Sequence, residues 1–139
     1  DALQRALRDS MGHHQIVYLP RGTYLVSRTI NWSKKDAKGN EAWGFNWIQG
    51  QDARGTVLRL KDGTFTDPRQ PATMMWCGGF GSADWFHNYI QDVTFDVGRD
   101  NPGAIGLQGL VRILGMLVVR SGVELFSEFF SHDCLHVGR

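Results

Sequence analysis

From residue 15 onward, the chain is a succession of short strand-like segments, each of which ends at a turn residue. The segments are rich in β-branched and aromatic residues, which favour strands, and glycine or proline stands at most of the breaks. Helical periodicity is confined to residues 1–11, where Asp1 can cap the first turn and Gly12 ends the pattern. The sequence therefore predicts an all-β chain with one N-terminal helix. The predicted strands are 16–19, 23–27, 29–32, 45–49, 56–60, 73–77, 89–97 and 104–108.

Two architectures fit such a series of strands. A sandwich or a barrel is the usual arrangement of many short strands. A parallel β-helix is favoured by the lack of Asn-Gly hairpin turns between neighbouring segments. It is also favoured by segment 16–19, which is apolar throughout, as a strand buried on both faces would be. A helix ahead of the first strand would provide the cap that the open end of such a coil needs.

Charge and hydropathy argue against two classes of partner. The 15 lysines and arginines nearly balance the 14 aspartates and glutamates, and the net charge is +1. No basic block stands out, so we expect no nucleic-acid partner. No run of about 18 apolar residues occurs, so no membrane span is predicted. The two cysteines, Cys77 and Cys134, do not amount to a disulfide framework.

Several segments match a known family in their order and spacing. Residues 1–7 read DALQRAL, and residues 18–27 read YLPRGTYLVS. Residues 47–60 contain WIQGQ and GTVLRL, residues 90–96 read IQDVTFD, and residues 101–108 read NPGAIGLQ. These segments resemble the capping helix, the YxPxGTYxVS turn and the first coils of the pectate-lyase superfamily, which includes polygalacturonase-like and glucanase-like proteins.

The resemblance implies a right-handed, single-stranded parallel β-helix that begins with a short capping helix. The whole chain, 1–139, would then be one partial β-helix domain, in which 1–11 form the capping helix and 15–108 form the coils. Residues 109–139 depart from the family pattern, and members of the family run to several hundred residues. We therefore expect an incomplete domain that is poorly soluble or oligomeric in isolation.

The resemblance also implies a function on carbohydrate. We expect a fragment of a glycoside hydrolase or polysaccharide lyase that acts on plant or microbial polysaccharide, outside the cell or in the periplasm, and that lacks a complete active site. No cofactor is expected, although lyases often use Ca²⁺ held by carboxylates. One alternative is a non-catalytic β-helix module that binds glycans or serves as a scaffold, and another is an inert fragment. Substrate and oligomeric state are left open.

Two aspartates of the predicted strand 89–97 are the candidate catalytic residues. Alternation along the strand makes the odd-numbered positions the more apolar face, so we expect Val93, Phe95 and Val97 to be buried and Asp92 and Asp96 to be exposed. Glycosidases need carboxylates about 5–9.5 Å apart, whereas positions four apart on one strand are about 13 Å apart. Each aspartate would therefore need a partner on a neighbouring strand, and the alternative is that both are solvated side chains.

Tryptophans are the candidate substrate contacts, because a flat π-surface stacks on the apolar face of a sugar ring. Trp85 and His87 follow a glycine-rich turn at 78–81 and are the preferred sugar contacts, with Trp76 as a further candidate. Trp47 lies in mid-strand and is expected in the core. Packing is the alternative for each tryptophan.

No metal site is predicted. His132, Cys134 and His136 could share one face of a strand and bind a metal, but they lie in the segment that departs from the family pattern. We interpret them as ordinary residues of that segment.

Overall fold

A computed structural model provides the structure of the chain, and it describes residues 2–10, 13–32, 47–77, 89–109, 112–120 and 135–138. Within these residues the chain forms one helix, α1 (Ala2–Ser10), and ten strands. The strands are β1 (Ile16–Leu19), β2 (Gly22–Val26), β3 (Ile30–Asn31), β4 (Trp47–Gly50), β5 (Thr56–Leu60), β6 (Ala72–Cys77), β7 (Tyr89–Asp96), β8 (Ala104–Gly109), β9 (Arg112–Arg120) and β10 (Leu135–Gly138). The predicted mostly-β chain with one N-terminal helix is confirmed.

The strands form two parallel sheets. The larger sheet has the order β1-β4-β7-β5-β2, and β9 pairs with β7 and with β10. The smaller sheet has the order β3-β6-β8. Every pairing within the described residues is parallel, so the antiparallel sandwich or barrel is not formed there. Because a parallel pair cannot be closed by a tight hairpin, other strands lie between most of the paired strands in the sequence, as β2 and β3 do between β1 and β4.

In-register pairing stacks apolar side chains into columns beneath the sheets. Ile48 pairs with Val17 on one side and with Ile90 on the other, and both isoleucines are fully buried. Leu58 and Phe95 form a second buried pair within the same sheet. The core also takes residues from the smaller sheet and from the turns that follow the strands. Its largest fully buried side chains are Trp32, Phe95, Leu7, Ile48, Leu58, Leu60, Met74, Met75, Ile90 and Val93.

Helix α1 packs against this core and binds the edge of the smaller sheet. Leu7 on its inner face is fully buried. The Gln4 side chain accepts a hydrogen bond from the Asn31 backbone N–H at 2.7 Å and donates one to the Asn31 carbonyl at 2.8 Å. These two bonds satisfy backbone groups on a strand edge. The predicted helix at 1–11 agrees with α1 to within one residue, and Asp1 lies outside the described residues.

Strand β7 departs from simple alternation at Asp92. The Asp92 backbone has a positive φ of 54°, and the register shifts between Gln91 and Val93. The extra residue of this bulge is on β9, which has two residues between Leu114 and Leu117 where β7 has Asp92 alone. The left-handed backbone at Asp92 interrupts the alternation of β7, so Ile90 and Val93 are both fully buried, and the outward position that strict alternation gives Ile90 is wrong.

Beyond the bulge the predicted alternation holds for the core side of β7. Val93, Phe95 and Val97 are buried, as expected. Asp92 and Asp96 are half-buried rather than exposed, because other side chains lie against them.

A buried asparagine joins two successive turns below the sheets. The Oδ1 of Asn101 accepts hydrogen bonds from the backbone N–H groups of Thr64 and Phe65, at 2.6 and 2.8 Å. Its Nδ2 donates to the carbonyls of Lys61 and Val97, at 3.1 and 2.7 Å. The amide thus uses both its acceptor and its donors on backbone groups of the two turns.

We expect Asn101→Ala to lower the free energy of unfolding by about 2–4 kcal/mol, because it leaves backbone groups without partners in a buried turn. Urea denaturation measures the change. Asp100→Asn is the matched control, because Asp100 is exposed and has a positive φ that asparagine tolerates. Equal midpoints for Asn101→Ala and the control would contradict this role.

Candidate functional site

The outer surface of β1, β4 and β7 carries two columns of side chains. Ile48 and Ile90 point into the core, so the residues on either side of them lie on the opposite face of the sheet. One column is aromatic and apolar, and the other carries amides. We call this surface the aromatic–amide face, and its residues are Ile16, Trp47 and Tyr89 in the first column and Tyr18, Gln49 and Gln91 in the second.

The aromatic column contains a packed pair of rings. The ring centroids of Trp47 and Tyr89 are 5.3 Å apart, and the rings are tilted by 50°. Both side chains are half-buried. Trp47 is thus on the outer face and not in the core as expected. Its Nε1 atom is buried and has no hydrogen-bond acceptor among the described residues.

Two further side chains widen the apolar part of this face. Ile16 and Tyr18 on β1 are 53% and 55% exposed. Large apolar side chains at this exposure are unusual on a soluble surface when they adjoin other aromatic groups, and contiguous patches of this kind mark binding sites. An aromatic row lined by amides can therefore bind a ligand that has both apolar faces and hydroxyl groups.

Asp92 stands beside the amide column. Gln49 donates a hydrogen bond through Nε2 to the Asp92 carboxylate at 3.2 Å and another to the Gly50 carbonyl at 2.9 Å. Gly50 permits this close approach, because a Cβ there would collide with the backbone carbonyl of Asp92. The bulge in β7 thus directs a carboxylate to the border of the aromatic–amide face.

Asp96 has a different environment. One of its carboxylate oxygens lies 3.3 Å from Nη1 of Arg59, and the other accepts a hydrogen bond from the Gly98 N–H at 2.9 Å. Arg59 also contacts Asp62, at 2.8 Å. The register sets Arg120 of β9 opposite Asp96 on the other side. Asp96 is therefore part of an ion-pair network, and the described contacts do not join it to Asp92 as a carboxylate pair.

The network perturbs the titration of two members. The pKa of Asp62 lies below its ordinary value, because its carboxylate accepts a hydrogen bond from the Arg99 backbone N–H and another from Arg59. The pKa of Arg59 is raised by its hydrogen bond to Asp62 and by the charge of Asp96. Both groups therefore stay charged at neutral pH.

The other predicted site residues are not brought to this face. Trp76 lies on β6 in the smaller sheet, half-buried between the register positions of Asn31 and Gln108. Trp85 and His87 lie outside the described residues. So do His132 and Cys134, whereas His136, the third residue of the possible metal-binding set, lies on β10. Within the described part of the chain, no group of three or more His, Cys, Asp or Glu residues is arranged to hold a metal ion.

No family model matches the chain, and neither a curated protein nor a solved structure matches it. The resemblance to the pectate-lyase superfamily therefore stays a prediction from the sequence motifs. In the part of the chain that the structure covers, no helix combines the length and apolarity required to cross a membrane.

The lowered pKa of Asp62 predicts part of the loss of folding stability at low pH. Because this pKa is lower in the folded chain than the ordinary value of 3.8, the ionised form stabilises the fold. That contribution is present above the ordinary value and is lost as the pH falls through the lower, folded-state value. We therefore expect Asp62→Asn to lose less stability than wild type between about pH 7 and about pH 3. Urea denaturation at both pH values measures the difference. Asp9→Asn on α1, where the side chain is exposed, is the control. Equal losses of stability for Asp62→Asn and wild type would contradict the stabilising role of the Asp62 carboxylate.

Proposed function

We propose that this chain is a segment of a right-handed parallel β-helix whose aromatic–amide face binds polysaccharide. Support for the fold comes from the pairing order. The chain passes from the larger sheet to the smaller one and back, and the strands pair in parallel as β1-β4-β7 and as β3-β6-β8. Helix α1 lies against the first of these strands, where a capping helix is needed.

The Trp47–Tyr89 pair beside the Gln49–Gln91 column is the observation that carries the proposal. Sugar rings stack their apolar faces on aromatic rings, and carboxamides both donate hydrogen bonds to hydroxyls and accept them. Successive members of each column are about 4.8 Å apart, because that is the spacing of neighbouring strands. Such a repeating surface suits an extended polymer of plant or microbial origin better than a small, compact ligand. From the resemblance to the pectate-lyase superfamily, we infer a location outside the cell or in the periplasm.

A catalytic role, as a glycoside hydrolase or a polysaccharide lyase, is the second candidate. The observation in its favour is the left-handed backbone of Asp92 at a bulge, since bulges and strained residues are common at active sites. However, Asp96 is ion-paired with Arg59, so a second catalytic carboxylate would have to come from elsewhere. Binding is therefore the function that the described geometry supports better.

Substitution of Trp47 tests the binding face. We expect Trp47→Ala to weaken binding to soluble polysaccharide about tenfold, because a stacking surface is lost. Trp47→Phe should keep most of the affinity, because the indole N–H has no hydrogen-bond acceptor to lose. Affinity electrophoresis in gels that contain β-glucan, xylan, galactomannan or polygalacturonate measures both.

The matched control is Trp76→Ala on the smaller sheet. It should bind like wild type if the aromatic–amide face is the site, and circular dichroism checks that each variant is folded. Loss of binding in Trp76→Ala but not in Trp47→Ala would move the site to the smaller sheet. A wild-type chain that binds none of the four polymers would contradict the proposed function.

A further inference from the structure

Strand β2 lies at one end of the larger sheet. Among the described strands it pairs with β5 alone. The Gly22 N–H and the Val26 carbonyl both form hydrogen bonds with residues that adjoin β5, each at 2.8 Å. Backbone groups of alternate residues point to opposite sides of a paired strand, so those of Thr23 and Leu25 point away from β5. These two N–H groups and two carbonyls form the outer edge of β2.

The other two strands at this end of the chain are contacted by α1. Gln4 binds both backbone groups of Asn31 on β3, and α1 also lies against β1. Between α1 and β2 lies a groove of about 160 Å³, lined by residues 2–4 and residues 24–30. A cavity of about 150 Å³ accommodates benzene, so this groove has room for one apolar side chain.

The sequence of β2 does not protect its outer edge from pairing. Edge strands commonly avoid unwanted pairing through charged side chains or proline within the strand, and Gly22–Val26 contains neither. Leu25 is 67% exposed, more than any other large hydrophobic residue in the described part of the chain. On the opposite face of the strand, Tyr24 is half-buried and Val26 is buried, and both line the groove. An added strand would therefore cover apolar side chains as well as backbone groups.

We propose that the outer edge of β2 binds an extended peptide segment of a partner protein, which joins the larger sheet as a further strand. An extended backbone offers N–H and C=O groups at the spacing of this edge. Every second side chain of such a segment lies on the face of the sheet that Tyr24 and Val26 share, next to the groove. The segment is therefore expected to carry apolar residues at alternate positions.

A second copy of the chain fits this edge less well. Helix α1 packs at the same end of the sheets, with Leu7 fully buried, and a helix is about 10 Å across. Neighbouring strands are only about 4.8 Å apart. If β2 of two copies paired, their two helices would be forced into the same space, whereas one extended segment needs only the edge and the groove.

Leu25→Pro tests the outer edge of β2. Proline removes a backbone donor that points away from β5, so the pairing with β5 should be retained. The probe is a fluorescein-labelled peptide with the sequence of residues 55–61, because this segment already pairs with β2 on its other side. We expect fluorescence anisotropy to show that the peptide binds the wild-type 139-residue chain. Leu25→Pro should weaken this binding about tenfold, because one hydrogen bond is lost and the proline ring crowds the edge.

The matched control is Ile16→Pro. It makes the same change at the first residue of β1, where the backbone N–H also points away from the neighbouring strand. This variant should bind the peptide like wild type, and circular dichroism checks that both variants are folded. Loss of binding in Ile16→Pro but not in Leu25→Pro would overturn the proposal.

N-methylation of the peptide gives a readout that does not depend on how a variant folds. Methyl groups on the amides of residues 56, 58 and 60, or of residues 57, 59 and 61, block one edge of the peptide strand at a time. We expect one of these sets to abolish binding to wild type and the other to leave it unchanged. Equal effects of the two sets, or no binding of the unmethylated peptide, would overturn the proposal. Self-association of wild type that Leu25→Pro abolishes, measured by sedimentation velocity, would assign the edge to a second copy and would also overturn it.

Discussion

The in-register parallel pairing of β1, β4 and β7 is the constraint on which both the core and the candidate site depend. Each paired residue of β4 lies between the residues of β1 and β7 that are in register with it, so side chains of similar character repeat at the strand spacing of about 4.8 Å. Toward the interior this repeats branched aliphatic residues, as in the pairing of Ile48 with Ile90. Toward solvent it repeats aromatic and amide residues, as in the pairing of Trp47 with Tyr89. The aromatic–amide face is thus the reverse side of the core, and a change of register would destroy both at once.

The bulge at Asp92 lies where β7 changes its pairing partner from β4 to β5. Residues 47–49 and 57–59 pair with two parts of the single strand β7, so residues 50–56 stand opposite residues 92–93. The surplus forms a turn in which the Ala53 carbonyl accepts a hydrogen bond from the Thr94 hydroxyl, and this contact covers Thr94. The same mismatch gives Asp92 its left-handed backbone and its position beside Gln49. The position of the Asp92 carboxylate therefore follows from the way β7 pairs with both β4 and β5.

Periodicity predicted those features that depend on neighbouring residues alone. The helix, most strands and the burial of Val93, Phe95 and Val97 follow from local pattern, and these expectations agree with the structure. Strict alternation places Ile90 on the wrong face, because it does not predict the left-handed residue at Asp92 that interrupts the strand. The mid-strand position of Trp47 predicts that it lies in the core, whereas its outer position depends on Ile48 filling the interior. Its ring partner, Tyr89, is distant in the sequence, so only the pairing of strands could bring the two together.

The two aspartates that looked equivalent in sequence differ in what surrounds them. One carboxylate oxygen of Asp96 forms an ion pair with Arg59, and the other accepts a hydrogen bond from the Gly98 backbone N–H. The charge of Asp96 is therefore paired within the fold. Asp92 accepts a hydrogen bond from the side-chain amide of Gln49 and borders the aromatic–amide face. The outer surface of the larger sheet consequently has one part where opposite charges are paired, around Arg59, and another part, the aromatic–amide face, that carries aromatic rings and amides. The proposed ligand binding therefore concerns the aromatic–amide face, because the strongest polar groups of the other part already contact each other.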